Sequence, residues 1–460
     1  MSTRSIRPLE SDLRSGVSGE AGAAQVVKLW LKNIALSVVS LLVFYLVIEL
    51  IVFPLALMSI PIGHQAFLLK PVRVLAQDSK QGLVPRNYIA IVGDSYAQGA
   101  GGFRYDPETK TETHLATHHF LHQLTGRDVV TFGQAGASSL SGVAKFFEQF
   151  SRLRSTGRFR FQDPDVILLF FYEGNDAHDN LEVITSNCRD QLDQGRHEVV
   201  SCQASVRQTV RRDLDDALAS YNASNLGGLR SNLLFFDFIK SILHHQRMLW
   251  RVEGGRDEPA PRKPLTWKDR EKLETKWKHP EVRAKFKERR RLRRELSKLE
   301  NKVRLNGEIV AISRRRSQAP PTEFTEEELE LALFVFEASL DELLRQFPSS
   351  KTLVVYIPSP LTSYEVVSPQ VYTERDEGLC DTEAMIKRGE LTFKTIQSIV
   401  AARNLPLIDA RAAIKSHAKT MRLHGHSPNQ NQLSDHFNSD GYEVLANAIV
   451  PYLANDVELR

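Results

Sequence analysis

The sequence predicts an α/β protein with an open, mainly parallel sheet of five strands and helices on both faces, a transmembrane helix before it and a helical insertion within it. Three observations predict this. Five short apolar runs bounded by turn residues alternate with amphipathic stretches. A long N-terminal run is apolar enough to cross a bilayer. An internal segment of about a third of the chain, residues 177–324, breaks the alternation.

Residues 1–32 are polar, small and charged, and read as a cytoplasmic tail. The anchor follows over 33–60, with the run "IALSVVSLLVFYLVIELIVFPLAL" at 34–57 broken only by Glu49. As a helix this run measures about 36 Å at 1.5 Å per residue, longer than a hydrocarbon core of about 30 Å. Arg4, Arg7, Arg14, Lys28 and Lys32 precede its apolar centre, against Lys70, Arg73 and Lys80 soon after it, which favours an inside N-terminus. The competing signal peptide needs an apolar region of roughly 7 to 15 residues and a small-x-small site, and neither fits. The expectation is a single-pass protein of a bacterial inner (cytoplasmic) membrane, with everything beyond a linker at 61–86 lying in the periplasm or outside the cell. Cys188 and Cys202 are then the expected disulfide pair and Cys380 the free thiol. The formal net charge of +4 is too mild to argue for nucleic acid. No Cys/His spacing resembles a zinc site, so neither a metal nor a cofactor is expected.

The first part of the α/β domain spans 87–176 and the second 325–460. "YIAIV" (88–92), "VVTF" (129–132), "VILLFFY" (166–172), "TLVVYI" (352–357) and "LPLID" (405–409) lack polar alternation, as strands buried on both faces do. Helices are expected at 113–125, 141–154, 325–346, 384–403 and 440–454. Thr325 and Glu328 form a capping-box pair ahead of one of them. Within the insertion, "KFKERRRLRRELSKLENKVR" (285–304) carries Phe286, Leu292, Leu296, Leu299 and Val303 at helical spacing, predicting a basic amphipathic helix. It reads either as a solvated face or as a surface for anionic lipid or glycan.

In such sheets functional groups gather at the carboxyl ends of the strands. Ser95 stands there, in "IAIVGDSYAQG". A serine hydroxyl becomes a nucleophile when a base takes its proton and fixed donors hold the oxyanion it creates. The second strand runs into "GQAGASS", where Gly133 and Gly136 permit tight turns and leave a main-chain N–H unshielded. The third runs into "YEGNDAHDN", where Asn175 offers an amide. His436 stands in "LSDHFNSDGY", ahead of the last helix.

These blocks, "GDSY", "GQAG", "EGND" and "DHFNSDGY", match in order and in placement after strands, and the chain resembles the SGNH, or GDSL-like, hydrolase family over 87–176 and 350–455. The resemblance implies a flavodoxin-like three-layer fold. It implies Ser95 as nucleophile, His436 as base, and an oxyanion hole from the N–H groups of Ser95 and Gly136 with the Asn175 amide. The family's acid commonly lies three residues before the histidine, sometimes two, where this chain has Leu433 and Ser434. Asp435 is adjacent instead. Either Asp435 orients His436, or a backbone carbonyl or another carboxylate does and the site is a Ser-His dyad. Asp94 reads as a brace for the turn. Asp176, His178 and Asp179 read equally as substrate contacts or loop polarity, and Tyr364 as a candidate pocket wall.

The expected function is hydrolysis of acyl, plausibly acetyl, esters on an envelope glycan or lipid. The alternatives are an O-acyltransferase acting on an envelope polysaccharide, served by the same nucleophile, and a catalytically poor glycan-binding scaffold.

Overall fold

The computed structural model describes residues 19–58, 68, 72–99, 116–155, 159–182, 196–219, 235, 238–240, 242–243, 291, 300–312, 317–373, 379–425 and 436–454. It divides into two units, Met1–Ala56 and Leu57–Arg460.

Helix α1 (Gly19–Val47) continues into a π-turn at Ile48–Val52, and Phe53–Met58 is again α-helical. Pro54 cannot donate to the carbonyl of Leu50, so the ladder widens just before it. The apolar stretch Gln25–Leu57 has a mean hydropathy of 2.7 and is long and apolar enough to be a membrane span or a signal sequence. Trp30, Leu41 and Phe44 expose about two-thirds of their surface, as a helix suited to lipid does. Glu49 accepts a hydrogen bond from the Tyr45 hydroxyl one turn earlier, at 3.2 Å.

The second unit is α/β. Its strands are β1 (Ile89–Val92), β2 (Val129–Thr131), β3 (Val166–Tyr172), β4 (Asn301–Leu305), β5 (Glu308–Ile312), β6 (Lys351–Ile357), β7 (Glu365–Val366), β8 (Gln370–Tyr372), β9 (Leu379–Asp381) and β10 (Leu407–Asp409). The main sheet has the order β2-β1-β3-β6-β10, and every neighbouring pair is parallel. Ile89 stands opposite Val129 on one side and Val166 on the other. Every residue of β1, β2 and β3 is buried, because helices cover both faces.

The helices beside the sheet are α2 (Ser95–Gln98), α3 (Thr117–Thr125), α4 (Ser139–Ser155), α5 (Arg196–Ala219), α6 (Glu326–Gln346), α7 (Thr382–Ala401), α8 (Arg411–Ala418) and α9 (Ser439–Ala454). On one face Ile91, Leu168 and Val355 share a core with Leu121 of α3 and Tyr442 and Leu445 of α9. On the other, Phe171 meets Phe336 of α6 at 5.2 Å between ring centroids, Tyr356 meets Phe393 of α7 at 5.1 Å, and Phe132 meets Phe146 of α4 at 4.8 Å. Buried rings of this size each remove roughly 150–250 Å² from water. They tie the helices to the sheet on which the site rests.

The expected capping box starts α6: Thr325 Oγ1 accepts from Glu328 N–H, and Thr325 N–H donates to the Glu328 carboxylate. The insertion, in contrast, is not helical throughout its described parts. The predicted basic helix at 285–304 ends in strand: Asn301–Leu305 pairs antiparallel with Glu308–Ile312. Asn306 and Gly307 hold φ of 52° and 81°, the two left-handed positions of a turn whose twist suits a hairpin. Burial alternates strictly along β4, a period of two that overrides the looser helical spacing of the apolar residues. Cys202, in α5, is disulfide-bonded, and Cys380 is free. Cys188, the expected partner of Cys202, lies outside the described residues.

Candidate active site

Strand β1 is followed by Gly93 and Asp94, and the Asp94 carboxylate caps α2 by accepting from Tyr96 N–H at 2.9 Å. This cap turns the chain sharply enough to put Ser95 at the first helical position, over the carboxyl edge of the sheet. Ser95 Oγ lies 2.9 Å from His436 Nε2 and 3.3 Å from Asp94 Oδ2. The shorter contact decides the partner: with the imidazole hydrogen on Nδ1, Oγ–H donates to Nε2.

His436 reaches this position through a short ladder. Gly425 N–H donates to the His436 carbonyl and Asn438 N–H to the Leu423 carbonyl. The Tyr364 hydroxyl accepts from Leu423 N–H at 2.8 Å and His424 N–H at 3.2 Å. Asn438 then starts α9 by accepting from Gly441 N–H. Tyr96, between Tyr172 at 4.0 Å and Phe437 at 5.0 Å, lies 5.5 Å from the His436 ring and closes its flank. Tyr364 is therefore a support of the histidine loop. Asp435 lies outside the described residues.

Asn175 follows β3, and its carbonyl accepts from Asp179 N–H as the helix 176–182 begins. Its side chain is buried, yet the carboxamide has no hydrogen-bond partner among the described residues. Gly136 occupies an exposed turn after β2 with φ of 71°. Among the described residues neither its N–H nor that of Ser95 has an acceptor. Three donors without partners thus follow three adjacent strands, about 4.8 Å apart. Gly133 sits closest to the serine turn: a Cβ there would lie 2.3 Å from Gln98 N and 2.5 Å from Ala97 C.

The polar residues around this edge have structural partners. Asp176 accepts from Tyr172 N–H at 3.0 Å, and His178 is hydrogen-bonded to Glu323. Burial pushes the Asp94 carboxyl up to about 6. Burial, with the charge of Asp94 second, holds Asp176 well above the usual carboxylate range. Two further residues matter although sequence reasoning passed over them. Glu173 accepts from Tyr356 Oη at 2.8 Å, Ser359 N–H at 2.8 Å and Thr362 Oγ1, tying the Asn175 loop to the loop after β6. An acid directly after seven apolar strand residues was the available signal. His424 is buried beside His436, and burial, followed by the charge of His436, lowers its imidazole to about 3. Nothing in its local sequence separates it from any loop histidine.

Beside Glu173 is a pocket of about 310 Å³, walled in part by Leu361, Tyr364, Ile386 and Arg411. It lies at the carboxyl edge, after β3, β6 and β10, and Tyr364, the candidate pocket wall, lines it, but none of Ser95, Gly136, Asn175 or His436 does. The larger cavity, about 1540 Å³, lies at the opposite, amino-terminal edge and has none of Ser95, Gly136, Asn175 or His436 in its walls. Among the described residues no group of three or more His, Cys, Asp or Glu side chains is arranged to hold a metal ion. No protein-family model and no curated protein matches the chain. The site is therefore defined by its geometry: a hydrogen-bonded serine and histidine at a strand end, with unpaired donors alongside. Such a pair can pass a hydroxyl proton to imidazole as the oxygen attacks an electrophile.

Proposed function

We propose that this chain is a membrane-anchored serine esterase of the SGNH type, acting on acyl esters, acetyl among them, of a cell-envelope glycan or lipid. The observation that carries the proposal is the 2.9 Å contact between Ser95 Oγ and His436 Nε2. The strand order β2-β1-β3-β6-β10 supports a flavodoxin-like fold, since the sheet strands taken in chain order read 2-1-3-4-5. The apolar N-terminal helix and the basic residues ahead of it support a single-pass anchor with the hydrolase unit on the periplasmic or outer side.

In this reading Ser95 Oγ attacks the ester carbonyl carbon while its proton passes to His436 Nε2. The carbonyl oxygen, now negative, is held by the N–H groups of Ser95 and Gly136 and the Asn175 amide, aided by the partial positive charge of a helix start. The C–O bond to the alcohol breaks as the imidazolium returns the proton to the leaving oxygen. Water, giving a proton to His436, then attacks the acyl carbon; the bond from that carbon to Ser95 Oγ breaks as the imidazolium returns the proton to Oγ, and the acid leaves. Asp435 is the proposed orienting carboxylate.

A fluorophosphonate probe and p-nitrophenyl acetate test this on the full-length chain. Wild type should be labelled and turn over the ester. Ser95→Ala should lose labelling, and Ser95→Ala and His436→Ala should each lose turnover by about 10³-fold or more. Equal labelling of wild type and Ser95→Ala overturns the proposal.

A further inference from the structure

The cavity of about 1540 Å³ at the amino-terminal edge of the sheet is not used by the esterase reading. Its walls come from the chain just before β1, β2, β3 and β6. Arg86, Arg127, Arg160 and Lys351 line it, against two acids, Asp128 and Asp165. Both acids are engaged. Asp128 accepts from the main-chain N–H groups of Gln81 and Arg86 at 2.8 and 2.9 Å, and Asp165 pairs with Arg127 at 3.4 Å. Arg127 also donates to the Asn87 carbonyl, and Lys351 to the Tyr452 carbonyl. Arg86 and Arg160 are left: neither has an ion pair among the described residues. Arg160 holds a left-handed φ of 46°, a conformation unfavourable for a residue with a long side chain and one that concentrates at binding sites.

We propose that this cavity binds a segment of an anionic polysaccharide, with Arg86 and Arg160 as its principal charge contacts. Size and shape select the ligand. The volume exceeds the roughly 300–1,000 Å³ of small-molecule pockets, which suits a stretch of polymer. A lipid surface is flat and meets projecting side chains, whereas these cations stand around a concavity. Single-stranded nucleic acid is held by stacking on exposed aromatic rings; the aromatic ring among the described wall residues, Phe159, is buried. The seven residues of β3 span about 23 Å at 3.3 Å each, so the cavity and the Ser95 edge lie at opposite ends of the sheet. A polymer held there leaves the reacting edge open.

The test is direct binding, independent of catalysis. Full-length protein in zwitterionic nanodiscs is titrated with polygalacturonate oligomers (carboxylate), heparin oligomers (sulfate) and dextran (neutral). Wild type should bind at least one of the anionic polymers, more weakly as NaCl rises, and should not bind dextran. Arg86→Ala/Arg160→Ala should bind about tenfold more weakly, the value of two exposed charge contacts, and with a shallower salt dependence. Arg86→Glu/Arg160→Glu should bind more weakly still, with the melting temperature of wild type. Unchanged binding in both variants, no binding to either anionic polymer, or equal binding of dextran overturns the proposal. Tighter binding of single-stranded DNA or of phosphatidylserine vesicles that is lost in the same variants overturns the ligand class. None of these results depends on ester turnover.

Discussion

Replacing Gly133 by alanine tests how tightly the loop after β2 is locked to the nucleophile. The added Cβ would lie 2.3 Å from Gln98 N and 2.5 Å from Ala97 C, both main-chain atoms of α2. Carbon contacts are comfortable near 3.5 Å, so the two segments must part by about 1 Å. Neither is free to move. Thr131 Oγ1 donates to the Ala97 carbonyl at 2.6 Å and accepts from Gly133 N–H at 3.1 Å, Arg73 donates to the Gly133 carbonyl at 2.8 Å, and Gln98 Oε1 accepts from Ala135 N–H at 2.7 Å. Overpacking of this kind costs about 1–3 kcal/mol, read as a lower urea midpoint. The displacement also carries Ser95 away from His436, and a shift of about 1 Å between reacting groups lowers the rate by about 10²-fold. Gly136→Ala is the contrast. No heavy atom lies within 4 Å of the place its methyl would take, and only the φ of 71° is unfavourable, a cost of about 1–2 kcal/mol without displacement of Ser95. The readout is the second-order rate of fluorophosphonate labelling beside the urea midpoint. Wild-type labelling and midpoint in Gly133→Ala, or slower labelling in Gly136→Ala than in Gly133→Ala, would refute this account of the close approach.

Asn175→Ala should lower ester turnover by about 10²–10³-fold, the usual effect of removing one oxyanion donor. It should leave the urea midpoint nearly unchanged, because the carboxamide has no hydrogen bond to lose among the described residues; a large stability loss with intact turnover would count against its assignment. Asp94→Asn changes stability in a pH-dependent way. The native carboxyl is raised from 3.8 to about 6, so the folded state holds its proton more tightly than the unfolded chain, and stability is lost as pH rises between those values. The loss reaches about 3 kcal/mol above pH 6. Asparagine keeps an acceptor for Tyr96 N–H and removes this loss, so its unfolding free energy relative to wild type should grow from about pH 4 to pH 6; removing the Asp94 charge also lowers the raised Asp176 carboxyl, which widens the gap in the same direction at higher pH. His424, depressed to about 3, gives a slope of opposite sign that is common to both proteins and cancels in the difference. A gap that shrinks over that range would refute the reasoning.

The strands of the main sheet were legible because a parallel sheet covered on both faces needs apolar residues at every position. "VILLFFY" and "TLVVYI" can be little else. The hairpin at Asn301–Ile312 was hidden by its flanks, since Val303 continues the helical spacing of Leu292, Leu296 and Leu299, and only Asn306-Gly307 marks the turn. Helix α8 is not legible in the sequence because eight residues with buried Ile414 and Ala418 hold too few apolar positions to show a period. Within the site, Ser95 and His436 stand out in the sequence through their blocks, and the structure brings them within hydrogen-bond distance. Glu173 and Tyr364 act through partners distant in the chain, Tyr356, Ser359, Leu423 and His424. Such pairings arise from strand order, which a single sequence does not display.

The two histidines at this edge also explain each other. In the proposed reaction His436 becomes cationic, and a second cation beside it would oppose that step. The Tyr364 oxygen accepts two main-chain N–H groups, which leaves its own hydrogen for the acceptor 3.2 Å away, His424 Nδ1. The hydrogen of neutral His424 then sits on Nε2, which is buried and has no acceptor among the described residues. Leaving such a donor unpaired costs about 1–3 kcal/mol. A carboxylate in its place would recover that energy, and would also raise the pKa of His424 and put a charged ring next to His436. Burial, followed by the charge of His436, lowers the His424 imidazole to about 3 and so holds it neutral near neutral pH. The unpaired Nε2–H is the structural consequence of keeping the charge on one ring.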